Sequence, residues 1–519
     1  MTAKSFLNPA NFPWQTRALL AIASGAAFAL SFPNFNFSLL AWISVGFLVL
    51  ASFGARPAVA PLYGFLHAIV FYPMSLPWMD VVIRQYGNVD ALTAAGVLAL
   101  VGLAGGAICA VFTWGIAAAS RRSAPLTLAL APDLWVALEF ARSHLPIFAF
   151  PWNLIGYAAG GNLALVQLTT VTGIWGLSYV VAGYGSLVAY AILTGRQRAW
   201  KILIASTAGL ILVAVGGRYF VPSQNPRFVA HLVQTDFEQY YQYPPDWMQV
   251  HAGDLDQLEQ ISIDAARKAP GLVVWPESPA PFSLQDAEFA ARARRIAQQS
   301  GADFLLGAED WKRDPAQKWE ATNSAILLNP SGDRVFIYDK IHLVPFGEYV
   351  PLRKYLTFAG KIIADLGDFA PGRQYVVGRL PEGRFGTFIC FEAVFPEGVR
   401  RFTANGADLL INISNDGWFG RSAAPAQHLM MARVRAVENR RWLLRDTNNG
   451  YTVSVDPYGR IVARLPADVR AELDAPYDFR ADLTLYARFG DWFPWLCVVA
   501  SMVLLVIAVT ARSGVAAAK

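Results

Sequence analysis

Charge is what this sequence has least of. Asp, Glu, Lys and Arg make up 16% of its 519 residues, against about 25% in an average soluble protein. Long stretches therefore need no hydrated surface. The net charge of +5 is small and scattered. No Lys/Arg stripe and no nucleic-acid motif is present, so nucleic acid is excluded as an expected partner. Cysteine is scarce too: Cys109, Cys390 and Cys497 are the only three. An odd set without CxxC spacing excludes a disulfide framework and a thiolate metal site, and neither metal nor cofactor is expected. Cys109 and Cys497 lie inside apolar stretches and read as core- or lipid-facing small residues. The first apolar stretch lacks a small-residue cleavage motif, so it is not read as a removable signal. Internal repeats and low-complexity linkers are also missing.

Long uncharged runs take the place of charge. Ala18 to Ala55 carries no charge and is broken at Pro33-Asn34-Phe35-Asn36. At about 20 apolar residues per membrane helix, that run makes a helical hairpin. Further spans are expected at Pro57–Met79, Ala91–Ser120, about Leu163–Leu193, Ile202–Gly217 and Trp492–Ala511, the last opened by the interfacial Trp492 and Trp495. A weaker span covers about Pro125–Arg142 and contains Asp133 and Glu139. Ionisable groups at membrane depth usually face the bundle interior and pair. Glu139 and Arg142, three apart, lie on one helical face within reach of each other. With eight spans, the basic groups Lys4/Arg17, Arg56, Arg121/Arg122, Arg196/Arg198/Lys201 and Arg512/Lys519 all fall on one side, which makes it the cytoplasmic one. Both termini are then cytoplasmic and the polar segment is periplasmic. The expected division is a membrane bundle over 1–217, a catalytic domain over 218–490, and an eighth span with a tail over 491–519.

The polar segment alternates strands and helices. Strands are expected at Phe228–Gln234, Gly271–Trp275, Asp303–Gly307, Asn323–Leu328, Arg334–Tyr338, Arg384–Cys390 and Asp408–Ile413. Helices are expected near Trp247–Lys268, Ala287–Gln299, Glu397–Asn405 and Ala426–Trp442. Hairpin turns fall at Asn329–Asp333 and Asp456–Gly459. Such a pattern predicts a layered α/β sandwich with mixed sheets.

Three short segments stand at strand ends, where α/β folds present functional groups: Val274-Trp275-Pro276-Glu277-Ser278, Asp339-Lys340-Ile341-His342 running on to Glu348-Tyr349, and Gly386-Thr387-Phe388-Ile389-Cys390-Phe391-Glu392. Taken singly, each has a plain reading as a core cysteine, a surface lysine or a turn. Jointly, and with Asn415-Asp416-Gly417-Trp418-Phe419 and Arg435-Ala436-Val437-Glu438-Asn439, they resemble the carbon–nitrogen hydrolase (nitrilase) superfamily over about residues 220–480. That resemblance implies an αββα sandwich and a Glu277–Lys340–Cys390 triad. The residue types suit acyl transfer. A thiol needs a base to become a nucleophile, here Glu277. Lys340 and the Phe391 N–H would meet the oxyanion. Glu348 and Glu392 are further acids placed to orient Lys340 or an attacking amine, whereas His342 reads as structural.

The whole chain, spans included, is similar to the apolipoprotein N-acyltransferases. That likeness implies a phospholipid acyl donor, typically phosphatidylethanolamine, a Cys390 thioester, and the amine of an S-diacylglyceryl-cysteine on an apolipoprotein as acceptor. An apolar stretch after Lys340 (Leu343, Val344, Phe346, Tyr349, Val350, Leu352, Tyr355, Leu356 and Phe358) is expected either to cover the acyl chain or to pack as an ordinary loop. Arg353 and Lys354 are within it, and Tyr241, Tyr243 and Trp247 form a second aromatic group, expected to line the mouth of the site rather than pack in the core. Tyr349, Trp247, Trp418 and Arg353 are the candidate substrate-binding residues. Two other readings stand beside this one: a membrane-tethered amidase with water as acceptor, and a scaffold with a decayed catalytic domain, against which the intact triad argues. A monomer is expected.

Overall fold

The computed structural model describes residues 12–86, 90–145, 149–240, 242–314, 317–349 and 369–510. The chain divides into two compact units. One takes in Met1–Pro77, Ala95–Val221 and Phe489–Lys519, the other Trp78–Ala94 and Pro222–Arg488.

The first unit is helical. Helix occurs at each of the eight apolar places: Trp14–Leu30, Ala41–Ser52, Pro61–Ser75, Ala91–Ser120, Ala124–His144, Ile174–Thr194, Gln197–Ile211 and Trp492–Thr510. Among the described residues, five helices are long and apolar enough to cross a membrane on their own. The early ones are shorter. Trp14–Leu30 has 17 residues and Ala41–Ser52 has 12. The third expected stretch stops short because Pro77 disfavours helix at Leu76 and supplies no N–H. The stretch expected at Leu163–Leu193 becomes α-helix for most of its length only at Ile174, because Gly173 has a φ of 65° and breaks the run. The weak fifth stretch is a full helix, Ala124–His144, started by the Ser123 side chain on the Leu126 N–H at 3.2 Å.

Three charges in this unit do something other than flank or pair. Arg17 is buried and donates to the carbonyls of Ala51 at 2.8 Å and Phe53 at 2.6 Å, tying the first helix to the end of the second. Such carbonyls have no partner within their own helix. Glu139 accepts from Trp135 Nε1 at 3.1 Å and the Ile155 N–H at 2.7 Å, while Arg142 donates to the Trp152 carbonyl at 3.1 Å. Each finds its own neutral partners, and the pairing of Glu139 with Arg142 is not among the ion pairs of the described residues.

The second unit contains two six-stranded sheets. The first is built from β1 (Phe228–Gln234), β2 (Leu272–Val274), β3 (Phe304–Arg313), β4 (Trp319–Leu328), β5 (Arg334–Asp339) and β12 (Ala471–Tyr477), in spatial order β12-β1-β2-β3-β4-β5. The second is built from β6 (Val377–Leu380), β7 (Gly383–Ile389), β8 (Leu409–Ser414), β9 (Leu443–Thr447), β10 (Val453–Val455) and β11 (Ile461–Arg464), in order β11-β10-β9-β8-β7-β6. Each sheet has a parallel trio, β1-β2-β3 and β7-β8-β9. These strands read as short apolar runs because both their faces are covered. The sheets face each other, with Phe336 of β5 against Phe385 of β7 at 5.0 Å between ring centroids. Helices Ala252–Lys268 and Ala287–Ser300 cover the outer face of the first sheet; Leu255, Leu258, Phe289 and Ile296 pack there on Val273, Phe304 and Ile326. Helices Pro396–Ala404 and Ala424–Asn439 lie on the second sheet. The architecture is an αββα sandwich.

The β3 strand runs to Arg313, well past the expected Asp303–Gly307. Its outer half pairs with β4 residue by residue, Arg313 opposite Trp319. The sandwich positions its chemistry by strand ends. Glu277 follows β2, Lys340 follows β5, Cys390 follows β7 and Asn415 follows β8. In open α/β sheets the crevice at the carboxyl ends of the strands is where ligands sit.

Candidate active site

Lys340 is the hub. Its side chain is 1% exposed, and its Nζ lies 2.8 Å from Glu277 Oε1 and 2.9 Å from Glu348 Oε1. Asn323 on β4 ties the same two oxygens together, its Nδ2 donating to Glu277 Oε1 at 2.8 Å and Glu348 Oε1 at 2.7 Å. The main chain of Asn323 also accepts the Lys340 N–H at 2.8 Å. The second Glu277 oxygen accepts the Asn415 N–H at 2.9 Å, and the second Glu348 oxygen accepts the Val344 N–H at 2.8 Å. Both carboxylates are thus fixed at both oxygens, and the ammonium is held between them. Burial works against that charge, yet the Glu277 and Glu348 carboxylates outweigh it and raise the Lys340 pKa well above its ordinary value. Lys340 stays protonated.

Cys390 begins a short 3-10 turn, Cys390–Val394, immediately after β7. Its φ of 47° is in the left-handed region, which costs a non-glycine residue of order 1–3 kcal/mol and clusters at functional sites. The thiol is buried and in electrostatic contact with both Glu277 and Lys340. Burial pushes its pKa up, Glu277 adds to the rise, and Lys340 offsets part of it. Burial and the Glu277 charge thus disfavour the thiolate, and the Lys340 ammonium favours it.

Glu392 has a different job from Glu348. One of its oxygens accepts from Tyr338 Oη at 2.7 Å, the Ile341 N–H at 2.8 Å and the His342 N–H at 3.2 Å, and the other from the Ile389 N–H at 2.8 Å. It clamps the main chain that follows Lys340 to the main chain that precedes Cys390. Burial raises its pKa, against these donors. His342 stacks on Phe395 at 4.3 Å.

Residues 24–187 match the family described as apolipoprotein N-acyltransferase N-terminal domain, and residues 240–476 match carbon-nitrogen hydrolase. The chain is 35% identical to the apolipoprotein N-acyltransferase of Geobacter metallireducens over 504 residues, covering 95% of this chain and 96% of that one. It belongs to the apolipoprotein N-acyltransferase family. Other members are the enzymes of Methylococcus capsulatus, 32% identical over 91% of this chain and 92% of theirs, and of Azotobacter vinelandii, 34% identical over 92% and 93%.

Within this N-acyltransferase family member, the remaining candidate residues are scattered. Trp247 is 2% exposed and packs edge-on against Phe237 at 5.0 Å and Phe282 at 6.1 Å, inside the core of the first sheet and its helices. That is a core position, not the mouth of a site. Tyr243 is half-buried and donates to Gln239 at 3.1 Å. Trp418 is half-buried in the turn Asp416–Phe419. Tyr349 is half-buried, and its carbonyl accepts the Phe346 N–H at 2.8 Å. Phe346 itself is 49% exposed. Arg353, Lys354, Tyr241 and the apolar stretch from Val350 to Phe358 lie outside the described residues.

Sequence reasoning missed Asn323 and a buried polar group behind Cys390. Asp416, His428 and Arg445 are each fully buried there. Arg445 Nη2 lies 2.7 Å from Asp416 Oδ2, and Arg445 also binds Asn412. His428 Nδ1 lies 3.1 Å from Asp416 Oδ1. Arg445, together with the His428 contact, holds the Asp416 carboxyl below its usual range despite burial, whereas burial and Arg445 push His428 down. One signal was available. Arg445-Asp446 interrupts the apolar strand β9, and a charge inside such a run is rarely buried without a partner.

Proposed function

We propose that this chain transfers a fatty acyl group from a phospholipid, through a thioester on Cys390, to the N-terminal amine of an S-diacylglyceryl-cysteine on an apolipoprotein. The observation that carries the reading is the Lys340 ammonium fixed between Glu277 and Glu348 beside a buried thiol. A cation in that position is preorganised for an oxyanion, and its two anchors keep it from wandering to the sulfur as a permanent ion pair. Family membership supports the donor and acceptor classes.

In the first half-reaction the Cys390 sulfur attacks the lipid ester carbonyl while Glu277 takes the thiol proton. Lys340 and the Phe391 N–H receive the oxyanion. Collapse breaks the ester C–O bond, and Glu277 returns the proton to the departing lysophospholipid oxygen. In the second half, the acceptor amine attacks the thioester, Glu277 takes a proton from nitrogen, and the C–S bond breaks with reprotonation of the sulfur. Two half-reactions sharing one acyl-enzyme give ping-pong kinetics. Nothing here routes through a cofactor or metal.

The proposed setting is the bacterial inner membrane with eight spans, both termini cytoplasmic, and residues 218–490 forming a periplasmic catalytic domain. Phosphatidylethanolamine is the proposed donor and the monomer the proposed state. The basic groups that fall on one side of an eight-span chain support the orientation. A reporter fused after Gly217 should report periplasm and one after Ala511 cytoplasm. Incubation with labelled phosphatidylethanolamine and a diacylated lipopeptide should give a Cys390-bound acyl group and triacylated product, both lost in Cys390→Ala. Release of free fatty acid alone would favour a hydrolase.

A further inference from the structure

We propose that His428 is a positioning residue for the oxyanion, acting through the peptide plane between Cys390 and Phe391. The inference rests on the thioester reading above and adds a part to its machinery. His428 Nε2 lies 3.0 Å from the Cys390 carbonyl oxygen. A carbonyl can only accept, so Nε2 carries the hydrogen. The other ring nitrogen, Nδ1, lies 3.1 Å from Asp416 Oδ1 and 3.2 Å from Arg445 Nη2, which itself binds both oxygens of Asp416 at 2.7 and 3.0 Å. Ring orientation is therefore set from behind. His428, Asp416 and Arg445 are fully buried, and Phe419 closes the imidazole edge-on at 6.0 Å.

The consequence follows from peptide geometry. The six atoms of a peptide unit lie in one plane, with C=O and N–H pointing opposite ways. The carbonyl that His428 holds belongs to the same peptide as the Phe391 N–H. Fixing the oxygen fixes the direction of that N–H. The N–H groups of a helix's first turn have no partner inside the helix, and Phe391 is second in the turn Cys390–Val394. Cys390 needs such a restraint because its φ of 47° is unfavourable for a residue with a Cβ. Without His428 the peptide can relax toward an ordinary conformation and carry the donor off the developing oxyanion. A displacement of about 1 Å at a reacting centre costs on the order of 10²-fold in rate.

The test compares His428→Gln with His428→Asn in the full chain, using labelled phosphatidylethanolamine in detergent. Gln places an amide N–H near the imidazole Nε2, whereas Asn reaches only as far as Nδ1. Wild type reports the thioester reading by itself: absence of its acyl-enzyme sinks that reading and this one with it. Given a wild-type acyl-enzyme, His428→Asn should form it about 10–100-fold more slowly at saturating lipid, with KM for the lipid within about twofold, while His428→Gln stays within about fivefold of wild type. Alkylation of Cys390 by iodoacetamide, which develops no oxyanion, should proceed alike in all three. Wild-type acylation in His428→Asn overturns the proposal, and so does a Gln variant as slow as Asn. Loss of the folded state in both variants also overturns it, by making His428 a folding residue.

Discussion

Gly307 faces the main chain of Glu277 so closely that a Cβ on it would lie 2.5 Å from the Glu277 Cα and 2.6 Å from the Pro276 carbonyl oxygen. Both are backbone atoms, which cannot swing aside as a side chain can. Strand β3 thus sets the height of the Glu277 turn. The variant Gly307→Ala should push Glu277 away from Lys340 and Cys390. We expect a fall in acyl-enzyme formation of about 10²-fold, while the buried strand keeps the protein folded. The check is single-turnover acylation beside a thermal melt. An unchanged rate with an unchanged melt would show that the turn moves freely.

Glu348 and Glu277 share Lys340, so removing one charge leaves the ammonium bound from one side only. Replacement by Gln keeps an acceptor oxygen but not the charge. Glu348→Gln should slow both half-reactions, by about 10²-fold, with little change in KM for the lipid. Rates measured separately for acylation and for transfer to the lipopeptide decide it, and a defect confined to transfer would instead place Glu348 at the acceptor amine.

Cys390 should be a sluggish thiol in the resting enzyme, because burial and the Glu277 charge both disfavour the thiolate. In a Cys109→Ala/Cys497→Ala background, iodoacetamide labelling at pH 7 should be slower than that of free cysteine and should climb steadily as pH rises past about 8.5. Lys340→Met removes the one opposing charge and should slow labelling further. A labelling rate flat from pH 6 to 9 would mean a preformed thiolate.

Stability should depend on pH through His231. This buried side chain on β1 has Nδ1 2.9 Å from Glu472 and 3.2 Å from Asp474, both on β12, and Nε2 2.6 Å from the Ala269 carbonyl. Burial alone would lower its pKa, but the Glu472 and Asp474 carboxylates and the Ala269 carbonyl together raise it. The stabilisation is then complete below the unfolded value of about 6.5 and is lost as pH rises through the raised folded value. Melting midpoints should fall as pH rises above about 6.5 in wild type and fall less in His231→Gln. Parallel slopes in the two proteins would rule out the linkage.

The parts of the site that were legible in the sequence are those at strand exits. Val274-Trp275-Pro276-Glu277 and Phe388-Ile389-Cys390 each combine a buried apolar run with an abrupt polar stop, and that local contrast survives without any tertiary information. Glu348 was readable because it is eight residues from Lys340, on the loop that returns to it. His428 and Arg445 were not, since each meets Asp416 only after the helix Ala424–Asn439 and strand β9 have packed. The outer half of β3, Glu309-Asp310-Trp311-Lys312-Arg313, was hidden by its composition. Those charges look like a loop until the hydrogen bonds to β4 are known. Trp247 misled for the opposite reason: its aromatic neighbours mark a core as readily as a mouth.

The stretch Trp78–Ala94 belongs to the same compact unit as Glu277, Lys340 and Cys390, although it lies far ahead of them in the chain. Trp78 packs edge-on against Phe419 at 5.2 Å and donates to Gln427 at 3.3 Å, across 349 residues of sequence. The ribosome therefore releases one piece of this unit long before the rest. The turn Asp416–Phe419, which carries the Asp416 that orients His428, acquires its Trp78 neighbour only when two distant stretches of nascent chain meet. An isolated fragment beginning at Pro222 would fold, if at all, with that neighbour missing from the moment of its synthesis.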